Sequence, residues 1–225
     1  MRTEILPYRM TTKLKAIGFD WSGVVFFHSI NFRRDGAAYL NISEQEFSTS
    51  YFKYNHLSNL KDLSSLEFWT TVFTDLGRQN DAAGFVDFLN TAPAGKLNTH
   101  IIQVVELLNR KGYKVGLLSN NTSSGAAEAR AAGVDGIFDV ALFSAEIGLM
   151  KPDPKAFQLL AEKFGVALCE MIFVDDSPKS FERVNEAGYT PILYKNMPEF
   201  LEKLVALEIL TKNEFNTLLY ENIVS

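Results

Sequence analysis

Asp20, Ser119, Asn120, Lys151, Asp175 and Asp176 are scattered along a 225-residue chain, each at or soon after the end of an apolar run. Two carboxylates such as Asp20 and Asp175 suit Mg²⁺, which takes oxygen ligands in an octahedral shell and keeps places for water and substrate oxygens. A hydroxyl from Ser119 and an ammonium from Lys151 would then spread the negative charge of a phosphoryl group. A carboxylate is a poor nucleophile in water. Beside a divalent cation and an ammonium it can attack a phosphorus whose oxygens are neutralised, which splits one hard step into two. The ammonium also holds the carboxylate ionised. Any one of these residues alone reads as a turn former, a cap or a solvated charge. Their joint occurrence, in this order, is what points to chemistry.

Meeting in one place requires a scaffold, and the sequence supplies a regular one. "LKAIGFD", "YKVGLLS", "VALFS", "MIFVDD" and "TPILY" read as short buried strands. Between them, "THIIQVVELLNRKG" carries Ile101, Val104, Val105 and Leu108 on one helical face, and "SGAAEARAAG" reads as a second helix. Asp153 and Pro154 form a cap and first-turn pair for a third, and Ser177 with Pro178 predicts one helix running to Gly188. Alternating strands and helices predict an α/β fold: a parallel sheet with helices on both faces. Ligands of such sheets bind beyond the carboxyl ends of the strands. Those ends deliver Asp20, Ser119, Asn120, Asp175 and Asp176, with Lys151 in the loop after the third strand.

Residues 30–96 break the alternation. Ser43 with Glu46 and Ser64 with Glu67 have capping-box spacing, Leu66, Trp69, Phe73 and Leu76 form a helical stripe, and a further helix is expected from Ala82 to Leu89. The expected organisation is a discontinuous core, 12–29 and 97–225, holding a small helical insertion. "NMPEFLEKLVALEI" and "TKNEFNTLLY" read as helices that pack on the core.

Bulk properties narrow the class. The chain is 47% hydrophobic, has a single cysteine, Cys169, and a net charge of −5. It can bury a core without a disulfide framework, and a reducing compartment is expected. No run reaches the roughly 18 apolar residues of a membrane span, and "MRTEILPYRMTTK" lacks the apolar region of a secretory leader. The cytoplasm is the expected location. The basic clusters are too thin for a nucleic-acid footprint.

"FDWSGVV", "LLSNN", "GLMKPDP" and "FVDDSPKS" resemble the four motifs of the haloacid dehalogenase superfamily, in order and separation. The resemblance implies a Rossmann-like core with a mobile helical cap after the first motif. It implies that Asp20 is a nucleophile forming an aspartyl intermediate, that Ser119, Asn120 and Lys151 hold the transferred group, and that Asp175 holds Mg²⁺ with Asp176 assisting. The main-chain carbonyl of Ser22 would complete the metal site.

One position departs from the pattern. Phosphatases of that superfamily carry aspartate two residues after the nucleophile, as the acid and base for the leaving group and water; this chain has Ser22. A serine is no acid near neutral pH, so a loss on the order of 10²–10⁴ in that step is expected unless another group serves. His28, just past the motif, is a candidate at the substrate site, set against its ordinary reading as a packed histidine. The main expectation is a Mg²⁺-dependent hydrolase of a small phosphorylated metabolite. A carbon–halogen or carbon–phosphorus hydrolase is the alternative: dehalogenases of the family have a non-acidic residue at this position but lack the acidic pair. "DWSG" resembles the first motif of phosphonoacetaldehyde hydrolases, which need a cap lysine such as Lys53 or Lys61 for a Schiff base. A phospho-ligand-binding protein without turnover is a third reading. Arg33, Arg34, Lys53, Tyr54, His56 and Lys61 could reach a second anionic group of a substrate, though most read as solvated surface. Oligomeric state is open.

Overall fold

The computed structural model describes residues 13–61 and 63–221. Met1 to Thr12, on which the reading of no secretory leader rests, and the outer limits 12 and 225 of the expected core lie outside the described residues. The chain begins with β1 (Ala16–Phe19) and β2 (Phe26–Phe27), then runs through α1 (Phe32–Leu40), α2 (Glu44–Lys61), α3 (Ser65–Asp75) and α4 (Ala82–Asn90). It returns through β3 (Lys96–Leu97), α5 (Thr99–Arg110), β4 (Lys114–Ser119), α6 (Ser123–Ala131), α7 (Val134–Ile137), β5 (Val140–Phe143), α8 (Ser144–Ile147) and α9 (Pro154–Phe164). The remainder is β6 (Met171–Asp175), α10 (Val184–Ala187), β7 (Thr190–Leu193), α11 (Met197–Ala206) and α12 (Lys212–Glu221).

Five strands form a parallel sheet in the order β5-β4-β1-β6-β7. All four residues of β1 and all five of β6 are buried, which is why both read as continuous apolar runs. The sheet separates two apolar clusters. Ile17 and Phe19 pack with α5 and α11 on one face, while α9 covers the other through Phe157 and Leu160. A Cβ at Gly18 would lie 2.7 Å from both Leu160 and Phe173 side chains, so glycine lets α9 lie close to β1. Because β4 and β6 flank β1, the chain direction of the connections reverses there. A crevice opens at that switch point.

The helices between β2 and β3 have a core of their own, in which Leu40, Phe47, Trp69, Phe73 and Phe85 are buried. Burial of each large apolar side chain contributes about 1.5–3 kcal/mol towards holding the insertion together. Ser64 and Glu67 make both bonds of a capping box at α3, and the Ser43 hydroxyl accepts from the Glu46 N–H. Helix α1 was not expected from sequence: its buried face is Gly36, Ala37 and Leu40, too small for a clear stripe, and it is started by Asn31 accepting from the Arg34 N–H. Strands β2 and β3 pair antiparallel, Phe26 opposite Leu97 and Phe27 opposite Lys96, at the two ends of the insertion.

The single helix expected from Ser177 to Gly188 is corrected to a 3₁₀ turn, Pro178–Phe181, followed by the short α10. Ser177 does not cap with its hydroxyl. Its own N–H donates to Asp175 Oδ1 at 2.8 Å, so the carboxylate at the end of β6 shapes this turn. No described helix is long and apolar enough to cross a membrane.

Candidate active site

The ends of β1, β4 and β6 place Asp20, Ser119 and Asp175 around one point, and the loop after α8 brings Lys151 between them. Its Nζ lies 2.8 Å from Asp20 Oδ1 and 2.5 Å from Asp175 Oδ2. Lys151 is 3% exposed and Asp175 is fully buried. Charges removed from water at this cost persist only when each is paired and hydrogen-bonded. Here they are: Asp175 Oδ1 also accepts from Ser177, and Asp20 Oδ1 accepts from the Trp21 N–H at 2.8 Å. The Lys151 ammonium also faces the Phe173 ring, 5.1 Å from its centroid.

Asn120 lines the cavity and also holds the loop that carries Lys151. Its amide nitrogen donates to the Lys151 carbonyl at 2.9 Å, and its amide oxygen accepts from the Lys151 N–H at 2.8 Å. Both halves of the side chain thus brace the lysine backbone. Ser119 is 2% exposed, lines the cavity, and its hydroxyl makes no side-chain hydrogen bond to another described residue. A buried hydroxyl beside an ammonium and facing a cavity is set to meet an anionic ligand.

The electrostatics of the cluster are unbalanced. Burial pushes Asp20 up to about 7, the Lys151 charge opposes this, and the Asp175 and Asp176 charges add to it. Burial works against the Lys151 charge, yet the Asp175 and Asp20 carboxylates hold its pKa above the ordinary value. Asp176 is raised by burial and then by its neighbour Asp175. Asp20, Asp175 and Asp176 each offer an oxygen within 4.8 Å of the others. Three carboxylates against one ammonium form an all-oxygen, net negative donor set, which fits a hard divalent cation. No described N–H donates to the Ser22 carbonyl, which leaves it free as a further oxygen. Gly23 has φ +81°, and a Cβ there would collide with the Asp176 carboxylate, so the loop after β1 approaches Asp176 only as glycine.

Ser22 itself is not isolated. Its Oγ lies 3.0 Å from His28 Nε2. The His28 ring packs edge-on against Phe26, which stacks on buried Trp21 with centroids 4.9 Å apart. Burial pushes the imidazole pKa down, with the Glu128 charge pulling the other way. The side chain lines the cavity, not the interior where the packed-histidine reading would put it.

The cavity measures about 570 Å³ and lies between the strand ends and the cap helices α1 and α2. Of the cap residues considered for a second anion, only Arg33 lines it. Arg34 is held by Asp35 at 2.7 Å, while Lys53 and Tyr54 bind Asp75 at 2.6 and 3.1 Å. The hydrogen bond to Asp75 keeps Lys53 charged, the opposite of what a Schiff-base amine needs. Phe52, Asn55 and Asn59 from α2, and Lys179 from the turn after β6, also line the cavity. Sequence reasoning missed these four. Lys179 Nζ sits 3.6 Å above the Phe52 ring centroid and so ties cap to core.

A parallel sheet with its carboxylate, hydroxyl and lysine residues at this switch point defines a class, and a family comparison agrees. A haloacid dehalogenase-like hydrolase model matches residues 14–182, and the chain belongs to that family. It is 38% identical over 86 residues to Phosphatase MT3486 of Mycobacterium tuberculosis, a match covering 37% of this chain and 40% of the relative. It is 26% identical over 125 residues to (S)-2-haloacid dehalogenase 4A of Burkholderia cepacia, covering 54% of each. The matches thus span about half or less of these curated relatives. Among solved structures, a HAD family enzyme of Bacteroides thetaiotaomicron in complex with magnesium and inorganic phosphate has TM-score 0.58 and 20% identity, covering 81% of this chain and 94% of that one. This last likeness shows the fold, a Rossmann-like α/β core with a helical cap.

Proposed function

We propose that the protein is a Mg²⁺-dependent phosphatase of small phosphorylated metabolites, working through an aspartyl-phosphate on Asp20. The observation that carries this reading is Lys151 held between Asp20 and Asp175, which converge with Asp176, near a Ser119 hydroxyl that has no side-chain partner among the described residues. Asp20, Asp175, Asp176 and the Ser22 carbonyl would hold the ion, which when bound neutralises phosphoryl oxygens and Asp175. The identities of a phosphatase relative and of the magnesium and phosphate complex support the same reading.

In the first half-reaction an Asp20 oxygen bonds to phosphorus, the phosphorus–oxygen bond to the leaving alcohol breaks, and the alkoxide gains a proton. Ser22 and His28, bonded to each other on the cavity wall, would supply that proton. Ser119 donates to a phosphoryl oxygen and Lys151 balances the transferred charge. In the second half a water, held by the Ser22 hydroxyl and losing its proton towards His28, attacks the aspartyl-phosphate. Phosphate leaves and the Asp20 carboxylate is restored.

The test is hydrolysis of p-nitrophenyl phosphate, whose phenolate needs little protonation. Turnover is expected with Mg²⁺, lost with a chelator and lost in Asp20→Asn. Metal-free halide release from 2-chloropropionate with no phosphatase activity would establish the dehalogenase reading instead. Binding of phosphate esters without any turnover would leave a ligand-binding protein.

A further inference from the structure

Past Ser22 and His28 the cavity continues into a second chamber of about 500 Å³, between the cap helices and α6. Ser22, His28, Asn59 and Asn120 line both chambers together with the apolar Ile30, Phe32 and Tyr51, and so form the passage. Under the phosphatase reading, the leaving oxygen must face Ser22 and His28. The rest of the leaving group then extends through that passage.

We infer that the second chamber receives the leaving alcohol, and that this alcohol carries an apolar or ring-shaped body with a hydrogen-bonding substituent and no negative charge. The inference rests on the phosphatase reading for the direction of the substrate, and on three features for its chemistry. Tyr51, with the edges of the largely buried Phe68 and Trp69 (4% and 6% exposed), gives the chamber an apolar patch. Ser58 and Asn59, at 9% and 8% exposure, have no side-chain hydrogen-bond partner among the described residues. Their polar atoms are not enclosed, since the fully buried side-chain polar atom without a partner among the described residues is Gln103 Oε1, so they open on the chamber and can bond to polar atoms of a ligand there. The third feature is charge: the chamber is lined by no lysine or arginine, and Glu128 on its wall has no ion-pair partner among the described residues. An anionic leaving group would meet Glu128 with nothing to offset the repulsion. Arg33 and Lys179 line the first chamber only.

Phosphonates in which a methylene replaces the ester oxygen test this without turnover. With Mg²⁺ present, calorimetric titration should show 3-phenylpropylphosphonate binding about tenfold or more tightly than 2-carboxyethylphosphonate. Glu128→Lys, an exposed change, should narrow that ratio several-fold by tightening the carboxylate ligand. Asn59→Leu should weaken 3-(4-hydroxyphenyl)propylphosphonate relative to the unsubstituted phenyl compound. Equal or tighter binding of the carboxylate ligand, or a ratio unmoved by Glu128→Lys, overturns the inference. Inactivity on p-nitrophenyl phosphate would instead remove the phosphatase reading, and the two failures are read from separate measurements.

Discussion

Ser22 Oγ and His28 Nε2 lie 3.0 Å apart at the passage between the two chambers, so the hydroxyl two residues after Asp20 in the chain meets an imidazole on the cavity wall. A hydroxyl alone is a poor proton carrier near neutral pH. An imidazole behind it changes that: with its pKa held below the ordinary value by burial, His28 is chiefly neutral near pH 7 and suited to take the proton of an attacking water.

His28→Ala should therefore lower kcat on alkyl phosphates by about 10²-fold and on p-nitrophenyl phosphate far less. Ser22→Asp should raise alkyl phosphate turnover by restoring a carboxylate. Steady-state kinetics on the two substrate types decide it: equal losses on both in His28→Ala would assign His28 a packing role.

Lys151→Met should abolish turnover and destabilise the fold by about 3–5 kcal/mol near pH 8, because it leaves the buried Asp175 and Asp20 carboxylates without their cation. Urea unfolding is the measurement. Part of the loss should return on acidification, as the carboxylates take up protons in place of the ammonium.

Asp20 sits at about 7 without a metal, so below that pH an ion must displace a proton to bind. Apparent Mg²⁺ affinity should rise about tenfold per pH unit up to about 7 and then level off. Calorimetry in buffers of different ionisation enthalpy should show proton release at pH 6 and little at pH 8.5. The same group sets a stability slope. Its folded pKa exceeds the unfolded 3.8, so between those values the folded state holds the extra proton, and Asp20 makes the metal-free protein less stable as pH rises through that window. Saturating Mg²⁺ should remove this contribution.

Gly23→Ala places a methyl group against the Asp176 carboxylate on a backbone at φ +81°. It should weaken Mg²⁺ binding about tenfold while costing only about 1–2 kcal/mol of stability from the left-handed conformation. Unchanged metal affinity would remove Asp176 from the ion's surroundings.

Much of this was legible in the chain. The ends of β1, β4 and β6 could be read because doubly buried strands are unbroken apolar runs, and a polar residue closing such a run stands out. Asn120 shows where reading stops: its two bonds to the Lys151 backbone join residues far apart in sequence, and nothing local distinguishes a brace from a ligand. Asn59 and Ser58 lie on a helix whose polar and apolar residues are too mixed for a clear stripe, so their burial appears only once α2 is packed. The turn after β6 was misjudged because Ser177 and Pro178 look like an ordinary cap, whereas the Asp175 carboxylate captures the N–H that starts it.

The chain leaves the core at Phe26–Phe27 and rejoins it at Lys96–Leu97, two steps hydrogen-bonded to each other as one narrow ribbon. The insertion is thus hung from a single doorway, like a pendant from a clasp. Beyond that ribbon it meets the core where α2 packs on α8 and where Lys179 covers Phe52, contacts that lie away from the parallel strands. For the same reason, a short hairpin turn grafted across the doorway should leave the sheet and its polar cradle standing, exchanging one lid for another while the chemistry beneath is kept.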